Sequence, residues 1–308
     1  MITEKHGKVI KGLGGLYDVR VDADGERRIY TCRAKGVLHK DEEKLLIGDN
    51  VCVSIDDATE GGIVISEIVE RRNALIRPPM ANLDYLFIVF AARKPAPVLE
   101  VVDKLIAIAI HNSITPVAVI TKEDLGSSVA EEYASVYRNA GITTFVTSSE
   151  SRAGVDSLHN YISENVKDGA TAAFAGASGV GKSTLMNALF PELSLSTSEI
   201  SRKIERGRHT TRHVEIFDIG GGGNLADTPG FSLIDFARFD FFALDELAAT
   251  FPDLIPYADG CRYADCSHVG EGISECAVAR AAEEGKIAPS RLESYRAIYK
   301  ILKEKKNY

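Results

Sequence analysis

Nine residues, GASGVGKST from Gly176 to Thr184, carry the most legible chemistry in this 308-residue chain. They fit the pattern G-x-x-x-x-G-K-[ST], in which glycines let successive backbone N–H groups close around phosphates. Lys182 is placed to reach the β- and γ-phosphates and Ser183 to offer its hydroxyl to Mg²⁺, while Ala177, Ser178, Gly179, Val180, Gly181 and Thr184 complete the cradle. Apolar Ala172, Ala173, Phe174 and Ala175 precede the run and STLMNALF follows within it and beyond. A buried strand turning into a helix is therefore the expected support, with the positive end of the helix dipole facing the anion. A nucleoside triphosphate with Mg²⁺ is the predicted ligand.

Further runs refine that ligand. ITKEDL, Ile120 to Leu125, resembles the guanine-specificity motif of GTPases, usually Asn-Lys-x-Asp, with Thr121 in place of the usual Asn. Asp124 can accept from guanine N1–H and its exocyclic amine, two donors that adenine does not present together, and Lys122 can lay its stem along the base. Ser148 and Ser149 follow the next apolar run, where a serine loop would back the base. DTPG, Asp227 to Gly230, has the form of the second acidic motif, with Asp227 toward Mg²⁺ and the Gly230 N–H toward the γ-phosphate. Between it and the P-loop, RGRHTTRHVEIF supplies Thr211, with Thr210 as neighbour, for a switch threonine on Mg²⁺. Phe231 stands where a water-orienting glutamine would serve, so intrinsic hydrolysis should be slow and His209 is the candidate for that task. A loop-packing histidine is the alternative.

The remaining chemistry lies near the C-terminal end. Cys261, Cys266, His268 and Cys276 form C-x4-C-x-H-x7-C, three thiols and one imidazole suited to a closed, structural Zn²⁺ site. A reduced, metal-free loop is the alternative. Cys32 and Cys52 fall in strand-like runs and read as buried core thiols. Residues 202–213 gather Arg202, Lys203, Arg206, Arg208 and Arg212 against Glu205, a segment able to meet RNA phosphates or to lie freely solvated. Lys300 to Lys306 poses the same choice at the end of a helix.

The elements that must hold these groups follow from periodicity. Short strand-like runs at 8–11, 16–21, 28–33, 50–55 and 62–68, separated by turn residues, predict an OB-like β-barrel over residues 1–70. Residues 71–83 read as a linker. From Asp84 to about residue 240 strands and amphipathic helices alternate, as in a doubly wound α/β sheet. Residues 241–308 read as an α-rich module around the cysteines.

The order of the motifs is unusual: guanine motif, serine loop, P-loop, switch threonine, DTPG. That is a circular permutation of the ordinary GTPase order. With the N-terminal barrel and the cysteine cluster, the whole chain resembles the bacterial ribosome small subunit-dependent GTPase A family, the RsgA or YjeQ type, through ITKEDL, GASGVGKST, GRHTT, DTPGF and the cysteine–histidine set. The resemblance implies GTP hydrolysis to GDP, stimulated by the small (30S) ribosomal subunit late in its assembly, with the subunit and its rRNA as partners. A permuted GTPase of another ribonucleoprotein and a nucleotide-gated RNA-binding scaffold are the rivals.

Composition bounds the rest. A net charge of −8 excludes a surface that binds nucleic acid throughout, and five cysteines are too few and too clustered for a disulfide framework. No long apolar run or signal-like N-terminal segment is present, so a cytoplasmic monomer without membrane attachment is the expectation.

Overall fold

Inward valines alternate with outward polar residues along the first part of the chain, and that period of two builds a barrel. In the computed structural model, residues 2–23, 26–35, 44–56, 62–193, 214–227, 236 and 238–306 are described. Strands β1 (Ile2–Leu13), β2 (Leu16–Ala23), β3 (Glu26–Ala34), β4 (Asn50–Asp56) and β5 (Ile63–Ile68) close in the order β1-β2-β3-β5-β4. β1 pairs antiparallel with both β2 and β4, while β3 meets β5 in parallel at Arg33 and Ala34. Val9, Val19, Val21, Cys32, Val51, Val53 and Ile65 fill the interior. β1 and β2 approach so closely that a Cβ on Gly7 would lie 2.6 Å from Val19 Cγ1. Cys52, out of phase with Val51 and Val53, turns the other way, and its sulfur lies 3.4 Å from His6 Nδ1. Both strand thiols are buried, as expected, and Cys32 is the one that packs among the valines.

Residues 71–83 contain a two-stranded hairpin, β6 (Ala74–Ile76) with β7 (Pro79–Ala81). Asn73 closes its ends by exchanging hydrogen bonds with the Leu83 backbone, and Met80, Ala81 and Leu83 are buried.

Six strands then form one sheet in the order β10-β9-β8-β11-β13-β12. They are β8 (Tyr85–Ala91), β9 (Thr115–Thr121), β10 (Thr143–Val146), β11 (Thr171–Ala175), β12 (Glu215–Asp218) and β13 (Asn224–Asp227). β8, β9 and β11 are almost wholly buried along their length, which explains their continuous apolar runs: both faces of a parallel sheet are covered. β12 is the antiparallel edge strand, paired with β13. Helices α1 (Leu99–His111), α2 (Ser127–Asn139), α3 (Val155–Asn165) and α4 (Lys182–Leu189) connect the strands, and α5 (Ile255–Ala258), α6 (Ala277–Glu283) and α7 (Pro289–Lys306) follow.

By contacts the chain forms two compact units, residues 1–84, 163–173 and 201–231 in one and 85–162, 174–200 and 232–308 in the other. Within the second, α7 packs on α1, and the wholly buried Arg291 donates to Asp103 of α1 at 2.6 Å and to both oxygens of Asp253 at 2.8 and 3.1 Å. Asp103 is therefore a core residue of α1 rather than part of a solvated face.

Candidate functional site

The P-loop leaves β11 through Gly176, where a Cβ would stand 2.1 Å from the carbonyl oxygen of Val89 in β8. Only glycine allows that approach. Gly179 and Gly181 hold φ of 78° and 93°, turning the chain so that α4 opens at Lys182. Ala177, Ser178 and Gly179 are exposed, Val180 is buried, and Thr184 faces solvent. Lys182 Nζ donates to the carbonyl oxygen of Gly176, 3.3 Å away, folding the side chain over its own loop.

The guanine motif is fastened to the same loop. Thr121, buried at the end of β9, directs its hydroxyl to the carbonyl oxygen of Val180, with that of Phe90 3.3 Å away. Lys122 takes a left-handed backbone (φ 57°) and donates from Nζ to the carbonyl oxygens of Gly179, at 2.7 Å, and Lys94. The threonine that replaces the usual asparagine thus supplies a hydroxyl where a bond to the P-loop is made. Ser148, fully buried, donates to Asp124 Oδ1 at 2.5 Å, and accepts from the Ser151 N–H at 3.2 Å. Backbone bonds from Glu123 N to Thr147 O and from Thr147 N to Ile120 O hold the serine loop beside the motif. Ser149 is half-buried next to it.

In the other unit, β13 runs parallel to β11 in the register Ala173↔Ala226, so Asp227 is the last residue of its strand at the carboxyl end. His209, Thr210, Thr211, Gly230 and Phe231 lie outside the described residues, as does the basic segment 202–213. Of the basic helix end, Lys305 donates to Phe239 O and Asp240. Sequence reasoning missed the loop after β8: Arg93 fills the space beside Gly126, where a Cβ would meet its Nε at 2.9 Å, and Lys94 receives Lys122. The signal was topological, because loops at the carboxyl ends of parallel strands collect at one edge of the sheet.

The four metal-ligand candidates converge. The ligand atoms of Cys261, Cys266, His268 and Cys276 all lie within 4.8 Å of one another. His268 Nδ1 is 3.6 Å from the Cys261 sulfur and 3.5 Å from that of Cys276, and those two sulfurs are 4.0 Å apart. Ligands about 2.3 Å from a tetrahedral centre stand about 3.8 Å apart, so the donor set fits a metal ion. All the cysteines are free thiols. Burial disfavours the Cys261 thiolate, but N–H groups of Ala277 and Val278 at the start of α6 outweigh it and lower the pKa. Burial and the neighbouring thiols push Cys266 up to about 12 without a cation, and burial lowers the pKa of His268, which favours the neutral, ligating imidazole. Glu271, which the sequence did not single out, organises the loop: its carboxylate accepts from the N–H groups of Ser267, Val269 and Gly270 and from the Ser267 hydroxyl. Arg296 of α7 donates to the His268 carbonyl at 2.9 Å.

A P-loop on the central strand of this sheet, with the guanine motif two strands earlier in the chain, defines a circularly permuted P-loop GTPase. The sequence profile described as RsgA GTPase matches residues 68–237 and that described as RsgA N-terminal domain matches residues 6–63. The chain belongs to the RsgA GTPase family. It is 40% identical over 304 residues to the small ribosomal subunit biogenesis GTPase RsgA of Geobacillus thermodenitrificans, covering 97% of this chain and 98% of that one. Among solved structures, it is similar to YloQ, described as a circularly permuted GTPase (34% identity, TM-score 0.77, 98% and 96% of the two chains). It is also similar to YjeQ from Thermotoga maritima (30% identity, TM-score 0.79, 97% and 99%).

Proposed function

We propose that this GTPase acts in late maturation of the small ribosomal subunit and that the subunit stimulates its hydrolysis of GTP. The full-length likeness to relatives named for small ribosomal subunit biogenesis carries this reading. In it, Asp124 and Lys122 select guanine, with Thr121, Ser148 and Ser149 shaping the pocket, and residues 176–184 hold the phosphates. Ser183 and Thr211 ligate Mg²⁺, Asp227 holds it through water, and Gly230 meets the γ-phosphate. Mg²⁺ neutralises charge that develops on the phosphates. Cys261, Cys266, His268 and Cys276 hold one structural Zn²⁺. The protein works as a monomer in the cytoplasm; no described helix is long and apolar enough to cross a membrane.

Phosphate release, measured with and without purified small subunits, tests the reading. Stimulation is expected. Activity that ignores the subunit would favour a different ribonucleoprotein target, and absence of any hydrolysis would favour a nucleotide-gated scaffold. Replacing His209 with Ala is expected to lower the stimulated kcat at least tenfold while changing GTP affinity less than threefold; an unchanged kcat would remove His209 from the reaction.

A further inference from the structure

Two cations of the barrel are buried against the sheet strands that serve the nucleotide. Lys8 of β1 is 9% exposed, and its ammonium donates to the Thr171 hydroxyl at 3.1 Å and the Gly169 carbonyl at 3.2 Å. Arg20 of β2 is 7% exposed and donates from Nη2 to Asn224 Oδ1 at 2.6 Å. Asn224, fully buried, turns its amide N–H groups to the carbonyls of Gly169 and Ala170, at 3.0 and 3.1 Å. Thr171 is held on its other side by Asp84, which exchanges backbone and side-chain bonds with it at 2.8 Å each.

Thr171 and Asn224 are register partners at the amino ends of β11 and β13. The carboxyl end of β11 runs into the P-loop at Gly176, and β13 ends at Asp227, three residues or about 10 Å beyond Asn224. Burying an ammonium and a guanidinium costs free energy that hydrophobic side chains of the same size would not incur. What the two cations add is position. Lys8 meets Thr171 and Gly169, and Arg20 Nη2 meets Asn224, at one pairing of β11 with β13; a shift of either strand would take these bonds from a buried cation, with Arg20 Nε keeping only Asp22 of its own strand at 3.2 Å.

We propose that Lys8 and Arg20 are positioning residues for GTP hydrolysis, setting the β11–β13 pairing that delivers Asp227. The proposal rests on the reading of Asp227 as a Mg²⁺-holding residue. Its signature is a Mg²⁺ requirement that rises while nucleotide binding that does not need the metal stays the same.

The test is the Mg²⁺ concentration for half-maximal GTP hydrolysis, read beside GDP affinity in chelator, for full-length Arg20→Met, Lys8→Gln and Asp227→Asn. Lys11→Met, which breaks the half-exposed pair of Lys11 with Glu215 on the edge strand β12, serves as control. Arg20→Met is expected to raise the Mg²⁺ midpoint at least fivefold with GDP affinity within twofold of the parent, Arg20→Lys to recover part of the change, and Lys11→Met to change neither. Lys8→Gln keeps a donor without the charge. It should shift the midpoint in the same direction, and it decides the matter if Arg20→Met does not fold. If Asp227→Asn raises the midpoint while Arg20→Met or, in its place, Lys8→Gln leaves it alone, the positioning role is overturned. If Asp227→Asn also leaves it alone, the assignment of Asp227 fails and the positioning role falls with it.

Discussion

The hydroxyl of Thr121 hydrogen-bonds the carbonyl oxygen of Val180, so the last residue of β9 supports the P-loop from within the protein. Lys122, the next residue, reaches Gly179 of the same loop. The TKED run and the P-loop are therefore joined through one pair of adjacent side chains.

Thr121→Val keeps the shape and removes the hydroxyl. Val180 is buried, so its carbonyl would lose a partner that water cannot readily replace, at a cost of about 1–2 kcal/mol, or roughly 5- to 30-fold in affinity. Titration with a fluorescent GDP analogue is expected to show that loss. Unchanged affinity would mean that the hydroxyl does not support the loop in the nucleotide-bound protein.

Arg291→Met would leave Asp103 and Asp253 without their shared cation in the core. Burial raises the pKa of Asp103, and the guanidinium opposes that rise. Breaking such a pair from one side costs about 3–5 kcal/mol. A thermal melt should show a marked fall in midpoint, with part of it recovered in the double variant Arg291→Met, Asp103→Leu, which leaves one fewer buried carboxylate unpaired. Additive losses in the double variant would argue against coupling.

Lys8 has its pKa lowered to about 8, chiefly by burial, with Arg20 and Arg72 adding to the fall and Asp84 opposing it. The unfolded chain keeps that proton to about 10.4. Between these values the unfolded state binds more protons, so raising the pH through this window favours the folded state. Relative to Lys8→Met, the parent protein should gain about 2 kcal/mol in urea unfolding between pH 7.5 and 9.5. A flat difference would contradict the buried ammonium.

Glu271→Gln removes the charge that gathers the N–H groups of residues 267, 269 and 270 around His268. Loss of an outer support of this kind typically weakens a metal site by about 10- to 100-fold. Zinc release to a colorimetric chelator should be at least tenfold faster than from the parent. Equal rates would leave the loop held by other contacts, such as Arg296.

Where the chemistry lies in contiguous residues, it was legible. GASGVGKST, ITKEDL and the cysteine–histidine spacing stand out as candidate sites because a loop of one strand–helix junction, or one tight knuckle, brings neighbours in sequence together in space. Asp103 was hidden in VLEVVDKLIAIAIHN, where an acid next to Lys104 and three residues after Glu100 looks like the polar face of an amphipathic helix. Its partner Arg291 is 188 residues away. Glu271 reads in sequence as one more loop acid, and only the fold turns its carboxylate to three backbone N–H groups.

The amino-acid sequence alone determined the nucleotide class, the permuted order of motifs and the cysteine–histidine set that the fold gathers into one cluster, since each depends on residue type and local spacing. Tertiary structure decided which charges are buried and what they hold, Lys8 on Thr171, Arg20 on Asn224 and Arg291 between two aspartates, and it set the neutral Thr121 hydroxyl on the P-loop. The reason is physical. A charged side chain carries the same letter whether solvated or buried, and only the fold supplies the desolvation and the distant partner that separate the two.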